Sequence, residues 1–181
     1  MRVYLLPMMF VIAAGVAGCN GTSSDTVTTY ISTQTSDGSI VVHAPGHADA
    51  HITAAGDLSI AGTKVTVTSE QRELLQKYYA TTLMMRDHGI ATGNAGIATA
   101  GKALSSVASG LASGNTDKID SEVNASAAKV EAHAALICKD LADLRSTQEQ
   151  LLASQLSAFQ PYALIKSNEA DDCRGRQISR E

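Results

Sequence analysis

Hydrophobic positions change their period twice along this 181-residue chain. From Val3 to Ala14 they run almost unbroken. Between Ser39 and Val67 they fall into short β-type stretches, Ser39–His43, Ala50–Thr53, Leu58–Ile60 and Lys64–Val67. Pro45-Gly46, Ala55-Gly56-Asp57 and Ala61-Gly62-Thr63 separate them. In the last two stretches Leu58 and Ile60, then Val65 and Val67, alternate with polar residues. Period-two patterning broken by glycine turns predicts a small antiparallel meander with one buried face. A sheet this small does not stand alone and needs a cover on its apolar side. A further short strand is expected around Val27–Ile31.

From Thr68 the period becomes helical. Thr68-Ser69-Glu70-Gln71 reads as an N-terminal capping box, with Thr68 as the cap and Gln71 reaching back. Leu74, Leu75, Tyr78, Tyr79, Leu83 and Met84 form a broad stripe on a helix over about 69–88, predicted to end near Gly89. A second helix is expected over 90–113. Its large apolar residues Ile90, Ile97, Leu104 and Leu111 stand seven apart, with Val107 between the last two, in a run of Ala, Gly, Ser and Thr whose one charge is Lys102. That spacing marks a narrow seam. Gly114-Asn115 breaks the run. A third helix over 116–160 repeats Val123, Val130, Ile137, Leu144 and Leu151 every seven, with Ala127, Ala134 and Leu141 at the partner positions; Pro161 is predicted to end it. Unbroken from Asp117 to Gln160 it would span about 66 Å. Two heptad segments joined by a short turn predict an antiparallel hairpin. The expected fold class is α+β, a meander followed by a helical hairpin or bundle with a long C-terminal helix, in one domain over 38–165. The polar tail 166–181 is expected to fray unless Cys173 pins it.

The N-terminus carries its own signal. Arg2 precedes the apolar stretch, small residues follow, and the run closes Val16-Ala17-Gly18-Cys19. This is the layout of an export signal, too short for a comfortable membrane span. Its end resembles the lipobox of bacterial lipoproteins, in which a diacylglyceryl group joins the cysteine sulfur and cleavage follows just before that cysteine. The resemblance implies a leader over 1–18, lipid on Cys19 as the membrane anchor, and a Ser/Thr-rich tether over 19–37. As a flexible coil the tether reaches roughly 20–25 Å. Asn20, where an Asp would favour inner-membrane retention in enteric bacteria, points to an outer-membrane lipoprotein facing the periplasm. The alternatives are a short retained helix, or ordinary signal cleavage that leaves a free thiol.

Composition narrows the chemistry. With 14 basic and 18 acidic residues the formal charge is −4. No basic patch interleaves with aromatics, so nucleic acid is not an expected partner. The chain has two Phe, five Tyr and no Trp, and its abundant small residues bury little area each, so modest stability is expected. With Cys19 lipidated, Cys138 and Cys173 are left to pair in an oxidising periplasm. Such a bridge would close a loop of about 34 residues and contribute roughly 3–4 kcal/mol. The alternative is a buried thiol at Cys138 and a loose Cys173.

His43, His47 and His51 recur every four residues with Asp49 among them, which on a helix would form a transition-metal site. Pro45 and Gly46 interrupt the segment and its flanks read as strands, where each step spans roughly 13 Å; surface histidines on a loop are the alternative. Gly89-x3-Gly93 and the Gly/Ala-rich run after it resemble small-residue packing between membrane helices. The run is rich in Ser, Thr and Asn, so a close-packed soluble helix or a loosely ordered segment is expected instead, with a face open to a partner. Asp140/Asp143 and Asp171/Asp172 offer carboxylates but no cleft, and Lys139/Asp143 reads as an exposed ion pair. Cys138 and His133 stand five apart, an indifferent helical spacing. No nucleophile elbow, His-Glu-x-x-His helix or phosphate loop occurs. No enzymatic activity and no cofactor are expected.

One stretch has a familiar order. Ala50-His51-Ile52, then Gly56–Gly62 as Gly-Asp-Leu-Ser-Ile-Ala-Gly, Val65–Val67, Thr68–Arg72 and the Tyr78-Tyr79 helix lead on to Ile137-Cys138-Lys139 and Ala158-Phe159-Gln160-Pro161-Tyr162. Over about 38–165 this is similar to the YggN-like family of periplasmic proteins of unknown function. The lipobox and the short Gly/Ala-rich middle depart from that family. The resemblance implies a periplasmic address and supplies no catalytic residues. The leading expectation is a non-catalytic interaction or structural protein of the envelope, with an envelope protein as partner. The alternatives are a metal- or small-ligand-binding lipoprotein using the histidine segment, and a periplasmic inhibitor or immunity protein.

Overall fold

A computed structural model describes residues 31–32, 37–113 and 117–178. The leader, Cys19 and most of the tether lie outside them, as do the turn at Gly114-Asn115 and the last three residues. The fold is α+β. Five strands, β1 (Ile31–Ser32), β2 (Ile40–Val42), β3 (Ala50–Ile52), β4 (Leu58–Ile60) and β5 (Thr63–Val65), pair antiparallel in chain order. Ile40, Ile52, Leu58 and Val65 stand opposite one another across four strands. The first three have no solvent exposure. This cross-strand row gives the sheet its apolar face. The β4–β5 connection is two residues, Ala61 and Gly62, with φ of 49° and 75°. A type I′ hairpin turn needs positive φ at both positions.

Two long helices follow, α1 (Ser69–Ser113) and α2 (Asp117–Ala153). The capping box forms: Thr68 N–H donates to Gln71 Oε1 at 2.9 Å, and Gln71 N–H donates to Thr68 Oγ1 at 3.2 Å. Gln71 Nε2 also donates to the Ser154 carbonyl at 2.9 Å, so the start of α1 is tied to the end of α2. The predicted break at Gly89 does not occur. α1 is one helix of 45 residues, about 68 Å long. A glycine lowers helix propensity without terminating a helix, and Gly89 is not among the positive-φ positions.

The end of α2 also differs from expectation. The helix stops at Ala153, not at Pro161. Gln155 takes φ 62°, its N–H donates to Leu152 O, and Leu156 N–H donates to Leu151 O. This is a Schellman closure with glutamine at the left-handed position that glycine usually fills. Leu151 and Leu156, its hydrophobic pair, are both buried. Pro161 lies within a 3-10 turn, Ser157–Tyr162, that drives Phe159 and Tyr162 into the core. There Phe159 packs edge-on to Tyr78, ring centroids 5.5 Å apart.

The tail forms a helix, α3 (Ser167–Ile178). Glu169 Oε2 accepts from Lys166 N–H at 3.2 Å, Arg145 donates to Ser167 O at 3.0 Å, and Cys173 is disulfide-bonded to Cys138. The core sits where the sheet, the base of α1 and the C-terminal half of α2 meet. Its helical members are Leu75 and Tyr78 on α1 and Leu141, Leu144 and Leu151 on α2.

Candidate interaction surface on the helical arm

Beyond Met85 on α1 and before Cys138 on α2, no described residue belongs to the core cluster. From there α1 and α2 run on beside each other as an arm about 40 Å long, with α3 bridged to its base at Cys138. Two linkages fasten its base. The Cys138–Cys173 disulfide joins α2 to α3 with Cα atoms 5.5 Å apart. His88 Nδ1 on α1 meets Asp140 Oδ2 on α2 at 2.6 Å, with the aspartate side chain only 5% exposed.

Within the arm α1 turns a row of small residues toward α2. Ala91, Thr92, Ala95, Gly96, Thr99, Ala103 and Ser106 are half-buried, and so are Val130, His133, Ala134 and Ile137 on α2. Thr92 and Thr99 return their hydroxyls to their own helix, at His88 O and Ala95 O, both 2.7 Å. Small side chains let two helices approach closely but bury little area. The α2 heptad row, through Val130, Ile137, Leu144 and Leu151, faces inward.

The α1 heptad row does not. Ile90, Ile97 and Leu104 are 56%, 74% and 75% exposed. Their phase is set at the base of the helix. Gln76, Leu83, Ile90, Ile97 and Leu104 stand seven apart and so share one face. Gln76 donates to Ala55 O in the β3–β4 turn at 3.1 Å, and Leu83 packs against the core. The head touches this face at the exposed Gln76 and at the half-buried Leu83, and from Ile90 the face is bare. Lys102, the one charge between Gly89 and Gly114, stands about 140° round the helix from Ile97.

The glycines of this stretch have no explanation inside the molecule. A Cβ built at Gly89, Gly93, Gly96 or Gly101 meets nothing within 4 Å. Each costs about 0.8–1 kcal/mol of helix propensity relative to alanine, and none makes room for a neighbour within the chain. Comparison with protein-family models, with curated proteins and with solved structures finds no match to this chain. The surface has to be read from its own chemistry. It is a row of large apolar side chains, flanked by glycine and alanine, on an α1 stretch whose one charge between Gly89 and Gly114 is Lys102. Among the described residues no helix is long and apolar enough to cross a membrane.

The three candidate metal ligands are not brought together. His43 Nδ1 pairs with Asp49 Oδ1 at 2.7 Å. His51 Nδ1 lies 3.4 Å from Ser39 Oγ. His47, in the turn between β2 and β3, lies edge-on to Tyr162 with ring centroids 6.5 Å apart. Among the described residues no group of three or more His, Cys, Asp and Glu could hold a metal ion. The four-residue spacing failed because Pro45 and Gly46 turn the chain between two strands. The segment serves the fold instead: Tyr162 donates its hydroxyl to Ala48 O, and burial, with the nearby Asp49 charge, raises that phenol's pKa.

Cys138 and Cys173 are paired as expected. Lys139 and Asp143 form the expected surface ion pair at 2.8 Å, which holds the Lys139 ammonium pKa above its ordinary value. Asp140 belongs instead to the His88 pair. Sequence reasoning missed that pair because its partners are 52 residues apart and meet only through the packing of α1 on α2. His133, weighed in the sequence only for its spacing from Cys138, has a buried Nδ1 with no hydrogen-bond partner among the described residues.

Proposed function

We propose that this chain is a lipid-anchored envelope protein, held by Cys19 and facing the periplasm, that works by binding another protein along its helical arm rather than by catalysing a reaction. The observation that carries the reading is the exposed row Ile90, Ile97 and Leu104. Scattered exposed apolar residues are ordinary on protein surfaces. A contiguous row at helical spacing on a nearly uncharged stretch of α1 is the pattern of a helix waiting for a helix. The leader and Ser/Thr-rich tether support placement on a membrane with the arm held clear of it. The resemblance to the YggN-like family is kept as part of this proposal and adds no activity.

Photoreactive residues placed at Ile97, Leu104 and Lys102 in living cells test it. The expected result is a recurrent protein adduct from positions 97 and 104 and none from 102, on the opposite side. No adduct at any position, or equal labelling from all three, would overturn the reading. The anchor is tested separately. Cys19→Ser is expected to abolish lipid attachment and cleavage before residue 19; a variant processed and membrane-bound like the parent would refute lipidation there.

A further inference from the structure

We propose that the arm is an acid-opened hairpin with His133 as its trigger: uncharged, the ring lies in the seam between α1 and α2, and protonation parts the two helices above the His88–Asp140 pair. The inference concerns how the arm is held together and is independent of what it binds.

The surroundings of one nitrogen carry it. His133 is half-buried on the side of α2 that faces α1, and its Nδ1 is buried without a hydrogen-bond partner among the described residues. A neutral imidazole with its proton on Nε2 leaves only a lone pair at Nδ1. An imidazolium has a proton on both nitrogens, and the one on Nδ1 would be a charged donor with no acceptor, the costlier case. Seven residues along each helix from the His88–Asp140 contact stand Ala95 on α1 and His133 on α2. The ring therefore lies two turns, roughly 10 Å, above that pair. On α1 the Ala95 and His88 carbonyls already accept the hydroxyls of Thr99 and Thr92, both at 2.7 Å.

The charges around the ring do not compensate it. One turn away on α2 is Lys129; Glu131, two residues from the histidine, is exposed on the other side of the helix. On α1 the one charge between Gly89 and Gly114 is Lys102, and Arg86 and Asp87 at the base pair with each other. On α3 the residues past Cys173 that carry charge are Arg174 and Arg176, while Glu169, Asp171 and Asp172 come before it, on the head side of the bridge. Asp140 already holds His88. Histidine is the side chain that changes charge between about pH 5 and 8, so acid acts in opposite senses on the two seam histidines. It gives His88 a charge beside a buried carboxylate, and His133 a charge with no counterpart. A group that folds uncharged contributes stability kept at higher pH and lost as pH falls below its unfolded value. The base stays fastened while the seam above it loosens. That seam sets Ala, Gly and Thr against Val130, Ala134 and Ile137 and buries little area to resist.

Amide hydrogen exchange of the full-length chain, corrected for the intrinsic rate of each amide at each pH, tests the device. Between about pH 7.5 and 5, protection over 89–106 and 124–137 is expected to fall about tenfold, the size of change one histidine gives over that range. The amides around Leu75, Tyr78 and Leu144 are expected to keep theirs. His133→Leu leaves the seam apolar and is expected to abolish the fall, whereas His88→Gln is expected to retain it. An equal fall in head and arm, the same fall in His133→Leu, or its disappearance in His88→Gln alone would overturn the proposal. Nitrogen NMR reads the parent chain without any substitution. At about pH 7.5 the His133 ring is expected to be neutral with its proton on Nε2, and arm protection is expected to drop in step with its protonation. A proton on Nδ1 in the neutral ring, or a ring that charges while the arm stays protected, would equally remove the inference.

Discussion

Gly56 shows how little freedom a single position has in the head. Its φ is +74°, and a Cβ there would stand 2.4 Å from the Arg72 carbonyl oxygen on α1. Both backbone conformation and sheet–helix approach require glycine. Gly56→Ala is expected to lower stability by about 2–4 kcal/mol, read as a shifted urea midpoint. Beside it, Asp57 accepts from Arg72 at 2.6 Å and meets Lys64 at 3.0 Å. The Arg72 hydrogen bond first, then that of Lys64, holds the Asp57 carboxyl below its ordinary 3.8. A depressed folded pKa contributes stability above the unfolded value and loses it as pH falls through the folded one. The contribution should fade below about pH 4, and Asp57→Asn should flatten that part of a stability–pH profile. An unchanged acid slope would refute the assignment. Ala61 is the converse case, an alanine held at φ 49°. Ala61→Gly is expected to raise stability by up to about 1 kcal/mol in the same urea titration, because a left-handed residue without a Cβ is unstrained.

At the level of elements, the C-terminal segments are held by a few specific links rather than by area. Gln148 is buried and makes two bonds to one residue, Nε2 to Ile165 O and Ile165 N–H to Oε1, both 3.0 Å. Its amide pairs with Ile165 as a neighbouring backbone would. Gln148→Leu leaves a buried N–H and a buried C=O unpaired and is expected to cost roughly 2–4 kcal/mol, measured by thermal or urea unfolding. Reducing the disulfide should release α3, with faster amide exchange over Ser167–Ile178 and little change in the sheet. Uniform loss of protection throughout would show the bridge to be global in effect. The β-strands, their turns and the capping box were legible in the sequence because alternation, glycine turns and Thr68/Gln71 act over a few residues. The helix ends were not. The Gly89 stop was predicted from a residue that the helix tolerates, and the Ala153 stop was hidden because its left-handed position holds Gln155, not glycine.

For the molecule as a whole, a compact head and a projecting arm draw on different sources of stability. The head has Tyr78, Phe159, Tyr162 and the buried aliphatic row. In the arm α1 turns small residues to the internal seam and its largest side chains outside. The period of Ile90, Ile97 and Leu104 was legible; the direction it faces was not, because Leu75, Tyr78 and the Gly56–Arg72 contact set the phase of α1 far from the arm. Gly96→Ala is expected to stiffen the arm, slowing amide exchange there by a few-fold without altering the urea midpoint of the head. The heptad phase on both helices has a consequence for the reach of the protein. Adding seven residues at matched levels of α1 and α2 leaves every face where it was, and the tip moves out by about 10 Å. Adding four or five to one helix rotates the seam out of contact. The height at which this hairpin presents its tip is thus adjustable in fixed increments, like a ruler whose graduations are set by its own helices.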